Sequence, residues 1–120
     1  MNYSTIKVVC TGGQLDPEDR SCLMGGAALE TIRNMSANLF FFSPHALSYD
    51  GELTDCYGEQ VAVMKQMMNR SKTKVCLCTA DRVGKYSTYT QCFLSDIDFL
   101  ICEKSIQELY EEKYPNLKYL

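Results

Sequence analysis

Apolar residues along this chain follow two rhythms. Short runs rich in β-branched and aromatic residues read as strands, and segments with apolar residues three or four apart read as helices. Residues 6–11, Ile-Lys-Val-Val-Cys-Thr, form the first such run and stop at Gly12-Gly13, which predicts a strand entering a tight turn. A polar, acidic loop with Pro17 follows over residues 14–20. Residues 21–35 carry helical periodicity, with Met24, Ala28, Ile32 and Met35 on one face and Ser21 placed as the cap. Gly25-Gly26 near that start costs about 1 kcal/mol per glycine relative to Ala, which points to close backbone packing there. Residues 38–43 contain Leu39-Phe40-Phe41-Phe42, a continuous run expected to be buried on both faces of a parallel sheet.

Residues 44–55 read as a loop turning at Asp50-Gly51. A second helix is predicted over 58–70, with Val61, Met64 and Met68 as its core face. Residues 74–79 form the next strand and end in the polar turn 80–85. After an irregular stretch, residues 97–102 form another strand. A closing helix over 105–112 has Ser105 and Glu108 spaced as a capping box, and Pro115 stops it. Strands alternating with helices predict an α/β domain: a mostly parallel sheet flanked by helices in three layers.

Composition narrows the function classes. At 120 residues one domain is expected. The net charge is −3 and the isoelectric point about 5.1, so this chain alone has no basic footprint for nucleic acid. Its densest cationic stretch, Lys65, Arg70, Lys72 and Lys74, reads as a solvated helix end. Seven cysteines make an odd number, no secretory signal precedes them, and Cys76 and Cys78 sit two apart in an apolar run. They read as small buried hydrophobes in a reducing, cytoplasmic setting. No metal site is expected, because there is no Cys-x-x-Cys pair and His45 is the sole imidazole. No apolar run reaches the ~20 residues that span a membrane, so no membrane partner is expected.

Ligands of open parallel sheets bind beyond the carboxyl ends of the strands. Three loops are predicted there: Gly12-Gly13, the 44–55 stretch and the 80–85 turn. They offer glycine-turn N–H groups and the cations Arg82 and Lys85 for an anion, with Asp50, Asp55 and Asp81 for hydroxyl groups. A phosphorylated sugar fits that mixture. A nucleophilic triad does not assemble from a single His, and no Gly-x-Ser-x-Gly elbow is present. No catalytic residue and no cofactor are expected.

The order of these loops resembles the second half of the sensor domain of DeoR-family transcription regulators. The matching features are Thr11-Gly12-Gly13 after a strand, Ser21 with Gly25 at a helix start, and Gly51-Glu52-Leu53-Thr54-Asp55 after the Phe40-Phe41-Phe42 strand. Further on come Glu59, Lys65 and Met68 on a helix, the Asp81 to Lys85 turn, and Asp96-Ile97-Asp98 opening the last strand. The resemblance covers most of residues 6–104. It departs at the turn, where Gly84 takes the family's usual lysine position and Lys85 follows.

The resemblance implies a Rossmann-like fold similar to ribose-5-phosphate isomerase, incomplete relative to the family domain. It implies an effector-sensing, homo-oligomeric, non-enzymatic role. The ligand contacts it implies are Gly12, Gly13, Asp50, Gly51, Thr54, Asp55, Asp81, Arg82 and Lys85. The chain would be the C-terminal part of such a sensor domain, with DNA reached only through a winged helix-turn-helix absent from it. The alternatives are a sugar-phosphate isomerase or deaminase-like enzyme of the same fold, using Asp50, Asp55 or Asp81 as base, and a non-sensing oligomerisation module.

Overall fold

A computed structural model describes residues 5–18 and 22–120. Ser21, the predicted first cap, lies outside the described residues. A two-residue hairpin of β1 (Gln14–Leu15) and β2 (Leu23–Met24) leads into α1 (Gly26–Arg33). Then follow β3 (Ala37–Phe42), β4 (Ala46–Leu47), β5 (Glu52–Asp55), α2 (Gly58–Asn69) and β6 (Ser71–Leu77). The chain closes with β7 (Tyr89–Phe93), β8 (Phe99–Ile101), α3 (Lys104–Tyr110) and β9 (Lys118–Tyr119).

The result is α/β, with a four-stranded sheet in the order β3-β6-β8-β9, parallel throughout. A second, antiparallel sheet, β4-β5-β7, comes from stretches read as loop and irregular chain. Its strands are short and interrupted by polar residues, so periodicity did not reveal them. The core lies between the two sheets and the helices. Phe42, Cys76 and Leu100 from the parallel strands meet Leu47, Leu53 and Cys92 from the antiparallel ones, and Met68, Ile106 and Tyr110 from α2 and α3 close it.

The helix expected over 21–35 spans only Gly26–Arg33, with Met24 in β2 and Met35 46% exposed beyond its end. Three further expectations need correction. Residues 6–11 form no strand, and Ile6, Val8 and Val9 are exposed. A strand needs a partner for its backbone groups, and β-propensity alone supplies none. Second, Leu39-Phe40-Phe41-Phe42 is not buried on both faces. Phe40 and Phe42 point into the core, whereas Leu39 and Phe41 are 53% and 58% exposed. Successive side chains alternate between faces, and β3 is the sheet's edge strand with its outer face open. Third, α3 begins after Glu103, whose carbonyl accepts the N–H groups of Ile106 and Gln107. Ser105 sits inside the helix, so the capping box does not form.

Tyr110 is fully buried and its hydroxyl donates to the Ser48 carbonyl at 2.8 Å. That carbonyl also accepts the Gly51 N–H, so it keeps one partner if the phenol oxygen is removed. Tyr110→Phe should therefore cost only about 0.5–1.5 kcal/mol in urea denaturation. A loss of several kcal/mol would mean that the Gly51 bond does not survive alone.

The cysteines behave as expected for core residues where they lie in strands. Cys76, Cys78 and Cys92 are buried. Burial pushes the Cys78 thiol up to about 11 and the Cys92 thiol up to about 12. The thiolate is the reactive form. At pH 8 a thiol reagent should label exposed Cys10 and Cys56 and leave these three untouched until the chain unfolds. Peptide mapping that finds Cys92 labelled as fast as Cys10 would contradict this packing.

Candidate functional site

Parallel pairing of β3 with β6 brings their carboxyl ends to the same side, with Phe42 level with Cys76. The chain leaving β3 runs through Ser43 and Pro44 to His45. The chain leaving β6 runs through Thr79 into a single 3-10 turn, Ala80–Arg82. The two loops touch: the Arg82 guanidinium donates to the His45 carbonyl at 3.4 Å. A parallel bridge between Leu47 and Val83 and a 2.8 Å bond from the Gly84 N–H to the Leu47 carbonyl hold the 80–85 turn against β4. The first half of the 44–55 stretch and the polar turn thus form one surface, as the topology rule requires.

Asp81 is exposed and ionised. The Thr79 hydroxyl donates to it, and this bond holds its carboxyl below the usual range, with Arg82 and Lys85 adding smaller pulls in the same direction. Arg82 Nε lies 3.6 Å from the Asp81 carboxylate. Asp55 closes the neighbouring end of the β4–β5 hairpin, and its Oδ1 accepts the Tyr57 N–H at 3.1 Å. Across that hairpin end, His45 Nε2 lies 3.9 Å from Cys56 Sγ.

The remaining predicted residues are placed differently. Thr54 is fully buried and its hydroxyl accepts the Ser87 N–H at 2.9 Å, which pins the loop after the polar turn onto β5. Asp50 and Gly51 form the turn at the far end of the hairpin, about 13 Å along the strand from Asp55. There the Tyr114 hydroxyl donates to the Asp50 carbonyl and Lys113 lies 3.6 Å from its carboxylate. That end borders a cleft of about 650 Å³ at the amino ends of the parallel strands, lined by Asp98, Lys113, Tyr114 and Lys118 among others. Asp98 there is already engaged by the Lys74 N–H at 2.8 Å, and loops at strand amino ends seldom carry ligand sites.

Gly12 and Gly13 adopt φ of 71° and 104° and turn the chain back toward α1. A side chain at Gly13 would meet the Met24 carbonyl at 2.4 Å. Close approach therefore belongs to Gly13 and not to Gly25-Gly26 as expected. Gly25 is needed for its φ of 90°, and a Cβ at Gly26 would face open space. The start of α1 has no side-chain cap and no acidic residue in its first turn. A helix start without acidic residues suits an anion. The start of α2 carries Glu59 and is already compensated.

Sequence reasoning passed over His45 and Cys56 as site residues. The available signal was position, since His45 lies inside the 44–55 stretch assigned to the ligand loop and Cys56 directly follows it.

The chain matches the family profile of the DeoR C terminal sensor domain over residues 1–104. It belongs to that family. It is 28% identical over 108 residues to the uncharacterized HTH-type transcriptional regulator YgbI of Escherichia coli (strain K12), covering 90% of this chain and 42% of that protein. A second uncharacterized HTH-type transcriptional regulator, from Haemophilus influenzae, is 26% identical over 108 residues and is covered to 41% of its length. The DeoR sensor segment thus spans less than half the length of these relatives. Within it, the matched region takes in all three loops described above and stops at Lys104, where α3 begins. Among the described residues no helix is long and apolar enough to cross a membrane.

Proposed function

We propose that this chain is the effector-binding part of a DeoR-type transcription regulator and that its effector is a phosphorylated sugar. The membership in a sensor-domain family over residues 1–104 carries this reading. The site geometry supports the chemistry. The phosphate would be met by Arg82 and Lys85 on the polar turn, with the N-terminal N–H groups of α1 as further donors to the anion. Asp55 and Asp81 would accept hydrogen bonds from sugar hydroxyls. Thr54 would act by holding the loop, and Asp50-Gly51 by anchoring the hairpin to the segment after α3 through Lys113 and Tyr114. Ligand binding would act on operator affinity through a helix-turn-helix elsewhere in the longer protein, by favouring one of two states.

The chain would correspond to the C-terminal part of the sensor domain. The open face of the parallel sheet supports this, because such sheets are ordinarily covered on both sides. Leu39, Phe41 and Leu77 are exposed on that face, and Val9 and Thr11 line an apolar recess beside them at the β3 edge. The rest of the sensor domain, or a second subunit, would cover this surface and form the homo-oligomer.

A sugar-phosphate isomerase of the same fold is the second reading. The depressed Asp81 carboxyl speaks against it, since a carboxylate held below its usual range is a poor general base at neutral pH. Turnover of a ribose or glucosamine phosphate that disappears in Asp81→Asn would establish the enzyme instead.

Thermal-shift titration with a panel of sugar phosphates tests the sensing role, on this chain and on one extended upstream. A ligand at 100 times its Kd adds about 2.7 kcal/mol, a rise of roughly 10 °C in a domain of this size. Lys85→Ala and Arg82→Ala should each weaken binding on the order of tenfold to a hundredfold, the worth of a charge-assisted hydrogen bond. Unchanged affinity in both variants would remove the phosphate from this turn. No shift with either chain, both folded, would leave the oligomerisation module as the better account.

A further inference from the structure

We propose that His45, Asp55 and Cys56 form a binding site for a borderline divalent cation of the Zn²⁺ class. This site shares Asp55 and the neighbouring Arg82 with the surface proposed for the sugar phosphate, but it does not rest on that reading. It arises from the register of the β4–β5 hairpin. Ala46 pairs with Thr54, so His45 comes to lie across from Asp55, and Cys56 follows directly. The open end of the hairpin therefore presents an imidazole, a carboxylate and a thiol together. One ligand atom from each lies within 4.8 Å of the other two, and among the described residues no other three His, Cys, Asp or Glu side chains converge as closely.

The spacing suits the ion. Bonds of about 2.0–2.3 Å in a tetrahedral zinc site place the ligand atoms roughly 3.3–3.8 Å apart. The His45 Nε2 to Cys56 Sγ separation is already 3.9 Å, so closure on a metal needs side-chain adjustment and no movement of the backbone. A mixed nitrogen, oxygen and sulfur set selects zinc-like ions over calcium and magnesium, which take oxygen ligands.

Two contacts hold the group in place. The Tyr57 N–H fixes the Asp55 carboxylate, and the Arg82 guanidinium holds the His45 carbonyl. A contact like that to Asp55 orients a metal ligand, and the Arg82 contact fixes the backbone that carries His45. His45 and Cys56 are exposed and Asp55 is half-buried, so a fourth coordination position faces solvent. With three protein ligands, that position takes water or an oxygen of an approaching small molecule.

Titration of the reduced full chain with Co²⁺ tests the site, using a phosphine reductant that does not compete for metal. One equivalent should bind and give a near-ultraviolet thiolate-to-cobalt charge-transfer band. Cys56→Ser should abolish that band, whereas Cys10→Ser should leave it intact. His45→Gln and Asp55→Asn should each weaken binding on the order of 10- to 100-fold or more, at least the loss seen when an outer partner is removed. In the unaltered chain, Zn²⁺ should protect Cys56 but not Cys10 from alkylation, and this readout needs no variant to fold. A band that survives in Cys56→Ser, or equal alkylation of Cys56 with and without Zn²⁺, overturns the site.

Discussion

Leu100→Ala is expected to destabilise the chain by about 3–5 kcal/mol. Leu100 is fully buried in β8, where Cys76 flanks it on one side and Tyr119 on the other. Removing its isopropyl group leaves a void bounded by two strands and by α3, elements that cannot collapse into it independently. A domain of ordinary stability has about 5–15 kcal/mol in total, so the variant would lose a large share. Its Tm should fall by roughly 10–20 °C. Leu39→Ala is the matched control. Leu39 is 53% exposed on the outer face of the same sheet, and the same truncation there should cost under about 1 kcal/mol. Urea melts of both variants decide the matter. Equal losses would show that the outer face of the parallel sheet is covered in solution by another chain, which would favour self-association.

The second large effect is expected at Gly13. Its φ of 104° lies where side chains are strained, and an added Cβ would sit 2.4 Å from the Met24 carbonyl oxygen. Backbone strain of this kind costs on the order of 1–3 kcal/mol, and the clash adds to it because the obstacle is main chain. Gly84 offers the comparison. Its φ of 77° is also positive, but the atoms in the way belong to the Tyr49 ring, which is 68% exposed and free to swing outward. Gly13→Ala should therefore be the more harmful of the two by about 1–3 kcal/mol. Because Gly13 packs against Ala28 in the first turn of α1, the variant should also lose affinity for an anionic ligand, whereas Gly84→Ala should lose little. Comparable melting temperatures for the two variants would mean that β2 shifts freely to make room.

Much of the parallel layer was legible in the residues themselves. The runs around Phe40, Val75 and Leu100 are apolar, β-branched or aromatic, and bounded by turn residues, so their strand character is local. The helical spacing of Ala28 with Ile32, and of Val61 with Met68, likewise marks the buried faces of α1 and α2. The polar turn 80–85 does follow a strand end, and the order of glycines, carboxylates and cations along the chain carries the resemblance to the DeoR family.

What tertiary structure decided is pairing. Residues 6–11 have the composition of a strand, yet remain unpaired at the edge of β3, because a strand exists only where another backbone completes its hydrogen bonds. Ala46, Leu47 and the 89–93 segment have weak local signals, yet form a sheet because β5 lies between them. Leu39 and Phe41 are as apolar as Phe40 and Phe42, and only the position of β3 at an edge with one open face separates exposed from buried. The same pairing sorted the site. It moved Asp50-Gly51 to the far end of a hairpin, gave Thr54 an internal partner, and set His45 across from Asp55 and beside Cys56. Residue type, spacing and turn chemistry were determined by the sequence alone. Which residues meet from distant parts of the chain was decided by the fold, because those contacts depend on strand register, and register is a property of two segments at once.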